Sequence, residues 1–525
     1  MLITPLSEND LAEDILIRLV KQRLFSIDSW QIIKSIFRAT NIDPRLIQHP
    51  WIPQALLDWM PANRYSPVMG GFLDAEVVWP LLLEHGLKLT AERPDVAAIL
   101  EWSAHQDHVA LYRQSTEEFC LAARNWLVTQ AGTAAETILN CVANNPLPDA
   151  LPLGLAAHVI FHPDAQNKLE KAIGKFEERF LSGQSPQLST MNAWSIAANQ
   201  ALAAFSNATQ QALIQRSDAI LAEVSAEGFA YLSTVSELGF NQHLSDLSKQ
   251  LIALLKGPAQ SKLDKLTQTY QIVKSHQQAI QFLSERRLER LDMALRLAQW
   301  LVTYKIAPAA KPIALEEAIA YHTQEGSFLD WARRLLPMAE PNRELATAYS
   351  KLFETITAIR EAHSQQFAHL LKDWTAVGST RKSVLPVEQI LATVVAPLAE
   401  THPVLLIVLD GLSVSITHEL LGDLIQQNWH LISPESQDYS IQAGLAAIPS
   451  VTDVSRMSLL CGQLCQGASN KEVQGFCNHP DLVRHSKRNM PPLLFHKKTF
   501  RQATHLPSLT NFIALSNPTK IRLLG

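Results

Sequence analysis

Residues 404–411 read Val404-Leu405-Leu406-Ile407-Val408-Leu409-Asp410-Gly411, and residues 448–456 read Ile448-Pro449-Ser450-Val451-Thr452-Asp453-Val454-Ser455-Arg456. A short, continuous apolar run bounded by a turn is how a fully buried central strand of a parallel sheet reads. Asp410 follows that run directly. In open α/β sheets the carboxyl ends of strands are where ligands bind. In the second stretch Pro449 and Ser450 break the preceding segment, and the apolar run from Met457 to Leu460 continues beyond it. Thr452 is therefore expected at the start of a helix. An acid at a strand end and a hydroxyl at a helix start together point to a metal-assisted nucleophile.

The chemistry asks for such a pair. A threonine hydroxyl is a weak nucleophile at neutral pH and needs a base or a metal to activate it. Two divalent ions a few ångströms apart lower that barrier and clamp phosphoryl oxygens. Carboxylate and alkoxide oxygens suit hard ions, with histidine nitrogens completing the set for zinc. Arg456 falls one turn after Thr452, so the two share a helix face. A guanidinium there can hold a phosphate oxygen; capping or solvating the helix is an equal alternative. For Asp410 alone the alternative is an aspartate that caps a turn.

A Walker B strand also ends in aspartate, but it requires an upstream G-x-x-x-x-G-K-[ST] loop. None occurs; Gly257 to Lys262 lacks the second glycine and follows a helix-like segment. Neither a dinucleotide-binding G-x-G-x-x-G nor a G-x-S-x-G elbow is present.

The two stretches "VLLIVLDGLS" and "IPSVTDVSRMSLLCG" resemble the first two motifs of PglZ-domain proteins, members of the alkaline phosphatase superfamily found in bacterial phage-exclusion (BREX) systems. The resemblance implies Asp410 as a metal ligand and Thr452 as both nucleophile and metal ligand, with divalent ions, zinc foremost, as cofactor. It implies a metal-dependent phosphohydrolase, on phosphomonoesters or phosphodiesters, acting in phage defence. Its partners would be other BREX proteins: DNA methyltransferase, ATPase and kinase components. Nucleic acid stays open as a partner. The helix-rich region upstream also resembles the long N-terminal part of these proteins.

In that superfamily further ligands come later, as an Asp and His set and a "DHG"-like turn. Nothing after Thr452 matches them. Asp453, His479, Asp481, His485, His496 and His505 are present, and none ends an apolar run. The final residues, Lys520 to Gly525, read as the first half of a strand. The expectation is a chain that stops inside its catalytic domain, has an incomplete metal site and is inactive alone. The alternative function is a non-catalytic helical scaffold within the defence assembly.

A length of 525 residues suggests roughly three domains. The segments expected are a small α or α/β domain over 1–110, a helical domain with a long helix pair over 111–380, and the first part of an alkaline-phosphatase-like α/β domain with a parallel sheet over 385–525. The class is α+β multidomain, mostly helical ahead of that last part. Hydrophobic residues at 47% and charged residues at 18% exclude a disordered chain. A net charge of −5 advertises no global nucleic-acid-binding field. Local basic clusters at Lys487-Arg488 and His496-Lys497-Lys498 read equally well as solvated loop charges. With no signal peptide and no bilayer-length apolar segment, the expected place is the cytoplasm, without membrane. Five cysteines, an odd number, fit a reducing compartment. Cys461, Cys465 and Cys477 with His479 lack a familiar zinc spacing, so a buried free thiol is preferred for Cys461. His105 and His108 have no evident third ligand.

The clearest helix runs from Ser284 to Val302, where Leu288, Leu291, Leu295, Ala298 and Val302 recur at three- and four-residue spacing and Arg286, Arg287, Arg290 and Asp292 lie between. Further helical segments are expected over 116–131, 133–142, 164–181, 191–221 and 313–374. Before residue 100, Pro44, Pro50, Pro53, Pro61, Pro67, Pro80 and Pro94 interrupt the pattern, and Trp51, Trp59, Phe72 and Trp79 supply aromatic core. Gly378 to Ser383 reads as a linker.

Overall fold

A computed structural model describes residues 4, 10–24, 28–61, 65–145, 147–306, 311–377, 384–429, 442–486 and 491–496. The protein is mostly helical, and its described strands form two two-stranded parallel sheets. Two compact units emerge: Met1–His243 with Ser275–Phe282, and Leu244–Lys274 with Leu283–Gly525.

The first unit has one large hydrophobic core whose members run from Ile33 to Val235, on both sides of position 110. Near its start, β1 (Asn41–Ile42) pairs in parallel with β2 (Phe72–Leu73). Asp43 follows β1 and caps the short helix Pro44–Ile47. Its carboxylate accepts from the Arg45 backbone N–H at 2.9 Å, from Arg45 Nη2 at 2.6 Å and from the Ala75 N–H at 3.3 Å. The Arg45 guanidinium, aided by these N–H groups, holds the carboxyl down at about 2. A depressed folded pKa means stability that is fully present above the ordinary carboxylate pKa and lost as pH falls through the folded one. Asp43→Asn is expected to cost about 2 kcal/mol at neutral pH. In urea titrations its gap from the native chain should close between about pH 5 and pH 2.

Several prolines turn out to be helix starters. Pro44 and Pro53 occupy the first turns of Pro44–Ile47 and Ile52–Asp58, where the missing N–H costs nothing. Pro80 does not interrupt: Ala75–Leu87 continues through it. Trp79 is buried and stacks on Trp126 at 5.6 Å between centroids, but Phe72, expected in the core, is exposed.

In this unit α1 (Ala150–Ile160) packs closely on α2 (Leu188–Leu202). Every residue of α1 except His158 is buried. Trp194 is fully buried, and its indole N–H donates to the Ala150 carbonyl at 3.0 Å. A Cβ on Gly154 would come within 2.7 Å of Trp194 Nε1 and of Ala198 Cβ, so the helices meet there only because glycine lacks one. The helix expected over 191–221 is two, since the chain breaks between Leu202 and Asn207.

In the second unit the expected amphipathic helix is α3 (Glu285–Ile306), packed against Ser327–Leu335 and α4 (Arg343–Val377). Its buried face is rotated from the expected one. Leu291, Ala298 and Val302 are buried together with Met293, Ala294, Leu297 and Leu301, while Leu288 and Leu295 are only half-buried. Arg290, assigned to the polar face, is buried too. Its Nη1 donates to the carbonyls of Met338 and Ala339 at 3.0 and 2.9 Å. The segment 313–374 is three helices, the first two joined through a π-helical turn at His322–Gly326.

Farther on, β3 (Leu385–Pro386) pairs in parallel with β4 (Gly444–Leu445). Residues 404–409 belong to neither. They carry no strand assignment, and Leu405 and Ile407 are 66% and 58% exposed. The expected buried central strand is therefore not formed among the described residues. A strand exists by the ladder it makes with neighbours, and apolar composition states a demand for burial without supplying the neighbour. Leu406 alone of the run packs on a small core made by Ile390, Leu391, Val394, Leu460 and Phe476. The linker expected at 378–383 and the strand expected at 520–525 lie outside the described residues.

Candidate functional site

Asp410 sits in a turn just past the apolar run. Gly411 follows with φ +75°, a left-handed conformation that glycine takes without strain. This turn leads into α5 (Val414–Gln426), whose N-cap Ser413 accepts from the Ile416 N–H. The second loop ends with extended Val451, and α6 (Thr452–Cys461) begins at Thr452, as the sequence led us to expect. Past α6 comes α7 (Ser469–Cys477).

These elements bring the sequence-derived residues together. Thr452 Oγ1 donates to Asp410 Oδ2 at 2.9 Å, and Arg456 Nη1 donates to the same oxygen at 3.1 Å. Arg456 lies one turn after Thr452 on one helix, which is why both reach a single carboxylate. The Asp410 side chain is 40% exposed and that of Arg456 29%, so the cluster opens to solvent.

Glu472, on α7, is a member the sequence reading missed. Its carboxylate is 2% exposed and accepts from Arg456 Nε at 3.0 Å through one oxygen and pairs with His496 Nε2 at 2.7 Å through the other. In "SNKEVQGFC" a glutamate looks like any solvated helix residue, and nothing local marks it. His496, read as part of a solvated basic cluster, is anchored here. Lys487, Arg488, Lys497, Lys498 and His505 lie outside the described residues.

The other polar residues after Thr452 go elsewhere. Asp453 accepts from Gln466 Nε2, His485 lies 3.3 Å from Glu400, and His479 is buried, with Nε2 where a Gly462 Cβ would stand. The five cysteines are unpaired and Cys461 is half-buried. Burial and the neighbouring Cys465 push its thiol up to about 11, so it is protonated at neutral pH. His105 and His108 lie 4.7 Å apart by ring centroid, and His108 Nδ1 is spent on the Trp102 carbonyl.

As a cation site the cluster supplies one carboxylate and one hydroxyl. Among the described residues no three His, Cys, Asp or Glu side chains gather as a metal-ligand group. Asp410 Oδ2 already receives two donors, and Glu472 faces an arginine and a histidine. Two hard oxygens do not fix a divalent ion, so the described residues do not make a complete metal centre.

Residues 95–235 match the family profile described as the BREX system PglZ second domain. That stretch of the chain is thus similar to the second domain of BREX-system PglZ proteins. The matched stretch falls within the first unit, includes α1 and α2, and opens at Asp95, whose side chain caps Val96–Ser103. It does not include the cluster at Asp410, so this evidence for the PglZ family comes from a different part of the chain than the two motifs. No curated protein and no solved structure matches. Among the described residues, no helix is long and apolar enough to cross a membrane.

Proposed function

We propose that Asp410, Thr452 and Arg456 are the phosphoryl-handling cluster of this BREX-type defence protein, the beginning of a metal-dependent phosphohydrolase site in an alkaline-phosphatase-like domain from about residue 385. The observation that carries this reading is the shared oxygen: Asp410 Oδ2 takes both the Thr452 hydroxyl, at 2.9 Å, and the Arg456 guanidinium, at 3.1 Å. An acceptor on the hydroxyl proton turns the lone pairs of Thr452 Oγ1 outward for attack on phosphorus. Arg456, less than a third exposed, is placed to meet the charge of a phosphoryl oxygen beside that nucleophile. The substrate is a phosphomonoester or a phosphodiester, because one such site serves many leaving groups.

A divalent ion, zinc on the resemblance, would take Asp410 and Thr452 as two of its ligands and lower the barrier to deprotonating the hydroxyl. With no further ligand among the described residues, the chain alone is expected to bind zinc weakly and to turn over little substrate. Its work would lie in the cytoplasm, with the methyltransferase, ATPase and kinase components of the same system as partners. The helical first unit, which carries the family match, supports the second reading, a scaffold for those components.

The test is a zinc titration with hydrolysis of an aryl phosphate monoester and diester. The expected result is at most trace turnover, removed by Thr452→Ala. Trace turnover that survives Thr452→Ala would end the assignment of the nucleophile. Tight stoichiometric zinc with full turnover lost in Thr452→Ala would instead show a complete site.

A further inference from the structure

We propose that Glu472 is a positioning residue of this site: its buried carboxylate sets Arg456 onto Asp410 with one oxygen and fixes His496 beside it with the other. This rests on the reading of the cluster as a phosphoryl site.

The geometry separates what a ligand can touch from what it cannot. The Glu472 side chain is 2% exposed, whereas those of Arg456, His496 and Asp410 are 29%, 30% and 40% exposed. A carboxylate taken out of water is tolerated only when paired and hydrogen-bonded, and both oxygens of Glu472 are. It acts through its partners and not on a substrate. Arginine carries its donors in a rigid planar fork. With Nε given to Glu472 and Nη1 to Asp410, the plane of the Arg456 guanidinium is fixed at two points. A flexible side chain then meets an incoming phosphoryl oxygen already oriented, and the ordering cost is met in folding instead of in binding. His496 brings a second nitrogen-bearing group to the same carboxylate, so Glu472 ties α7 and the segment at 491–496 to the nucleophile's helix.

A bystander carboxylate that merely braces α6 against α7 would behave differently, and the two are separable in the full chain labelled with 15N-arginine. Inorganic phosphate is the probe, with the Arg456 Nε–H signal assigned by its disappearance in Arg456→Lys. In the native chain that signal is expected to be displaced from those of exposed arginines such as Arg484 and slow to exchange with water. Glu472→Gln keeps the shape and removes the charge. It should release the signal to the exposed position and weaken phosphate binding on the order of tenfold. Glu472→Asp should restore part of both.

Unchanged phosphate affinity in a folded Glu472→Gln chain would overturn the proposal, even if its melting temperature dropped. Should that variant fail to fold, the native signal decides: an Nε–H that exchanges as fast as that of an exposed arginine overturns it. If phosphate moves no signal in the native chain, the phosphoryl reading fails. A slow Nε–H freed by Glu472→Gln would then still establish Glu472 as the group that holds Arg456.

Discussion

Glu340→Ala should lower the stability of the second unit by about 3–5 kcal/mol. Glu340 is the countercharge of two arginines. Its carboxylate takes Arg287 Nη2 at 2.7 Å and lies 3.5 Å from Arg290 Nη1, and it also accepts the Asn342 N–H at 3.1 Å. The side chains of Glu340 and Arg290 are each 3% exposed. Arg290 therefore cannot turn to water when its partner goes. Two backbone carbonyls satisfy part of its fork, but no charge balances it. Removing one member of a buried pair costs far more than the pair itself contributes, because the other charge stays behind. The hydroxyl of Tyr349 nearby is pushed far up by burial, which marks the region as poorly solvated. Urea unfolding followed by circular dichroism gives the number, and Arg287→Ala, from a side chain 25% exposed, should cost clearly less. A loss under about 1 kcal/mol for Glu340→Ala would mean the carboxylate is hydrated in solution.

Acid should destabilise the first unit through His276, by up to about 3 kcal/mol. The imidazole is buried; its Nδ1 accepts the Gln278 N–H at 3.2 Å, which leaves Nε2 to donate to the Ser233 carbonyl at 3.1 Å. The neutral tautomer is thus fully bonded, and a second proton would have to enter at Nδ1, where an N–H already points. Burial holds the group at about 4, and the ring of His243, 6.0 Å away by centroid, opposes a charge there too. Above the ordinary histidine value, near 6.5, both folded and unfolded chains hold it neutral and its contribution is complete. Below that value only the unfolded chain takes the proton, and stability falls by about 1.4 kcal/mol per pH unit until the folded group titrates near 4. His108 and His158 are shifted the same way by burial, so the difference between native and His276→Gln is what isolates the effect. The variant should show a shallower fall of the urea midpoint from pH 7 to pH 4.5. Equal slopes would assign the acid sensitivity to other groups.

What the sequence made legible follows from which signals are local. The start of α6 at Thr452 and the placement of Arg456 one turn later are consequences of breakers and helical spacing, both written within nine residues. A strand end followed by a hydroxyl at a helix start puts Asp410 near Thr452; the hydrogen bond between them is there, but the strand before Asp410 is not formed among the described residues. Glu472 was invisible because its role is set by a neighbour sixteen positions back in sequence that only the fold brings to it. Helix α1 escaped for the opposite reason: apolar on all sides, with a proline and a glycine inside, it shows no period to detect. Arg290 was placed on the wrong face because a charge reads as surface until carbonyls and a carboxylate are found waiting for it. The run at 404–409 shows the converse limit, since burial on both faces depends on strands that the run itself does not encode.

Helix α4 spans thirty-five residues, Arg343–Val377, yet its buried residues, Leu345, Ala348, Tyr349, Leu352, Ile356 and Arg360, reach no further than its middle. The hydrogen-bonded ladder is continuous, but what anchors it is not. Helices in water owe most of their persistence to an apolar face held by the rest of the protein. The amides before Arg360 are therefore released only when the surrounding core comes apart. Those beyond Gln366, whose side chain donates to the Pro312 carbonyl, can open in short local excursions of much lower free energy. One unbroken helix is thus two thermodynamic objects, and the border between them lies past its last tertiary contacts: Arg360 clamped on Asp330, His363 against the rings of Tyr304 and Tyr321, and Gln366 donating to the Pro312 carbonyl.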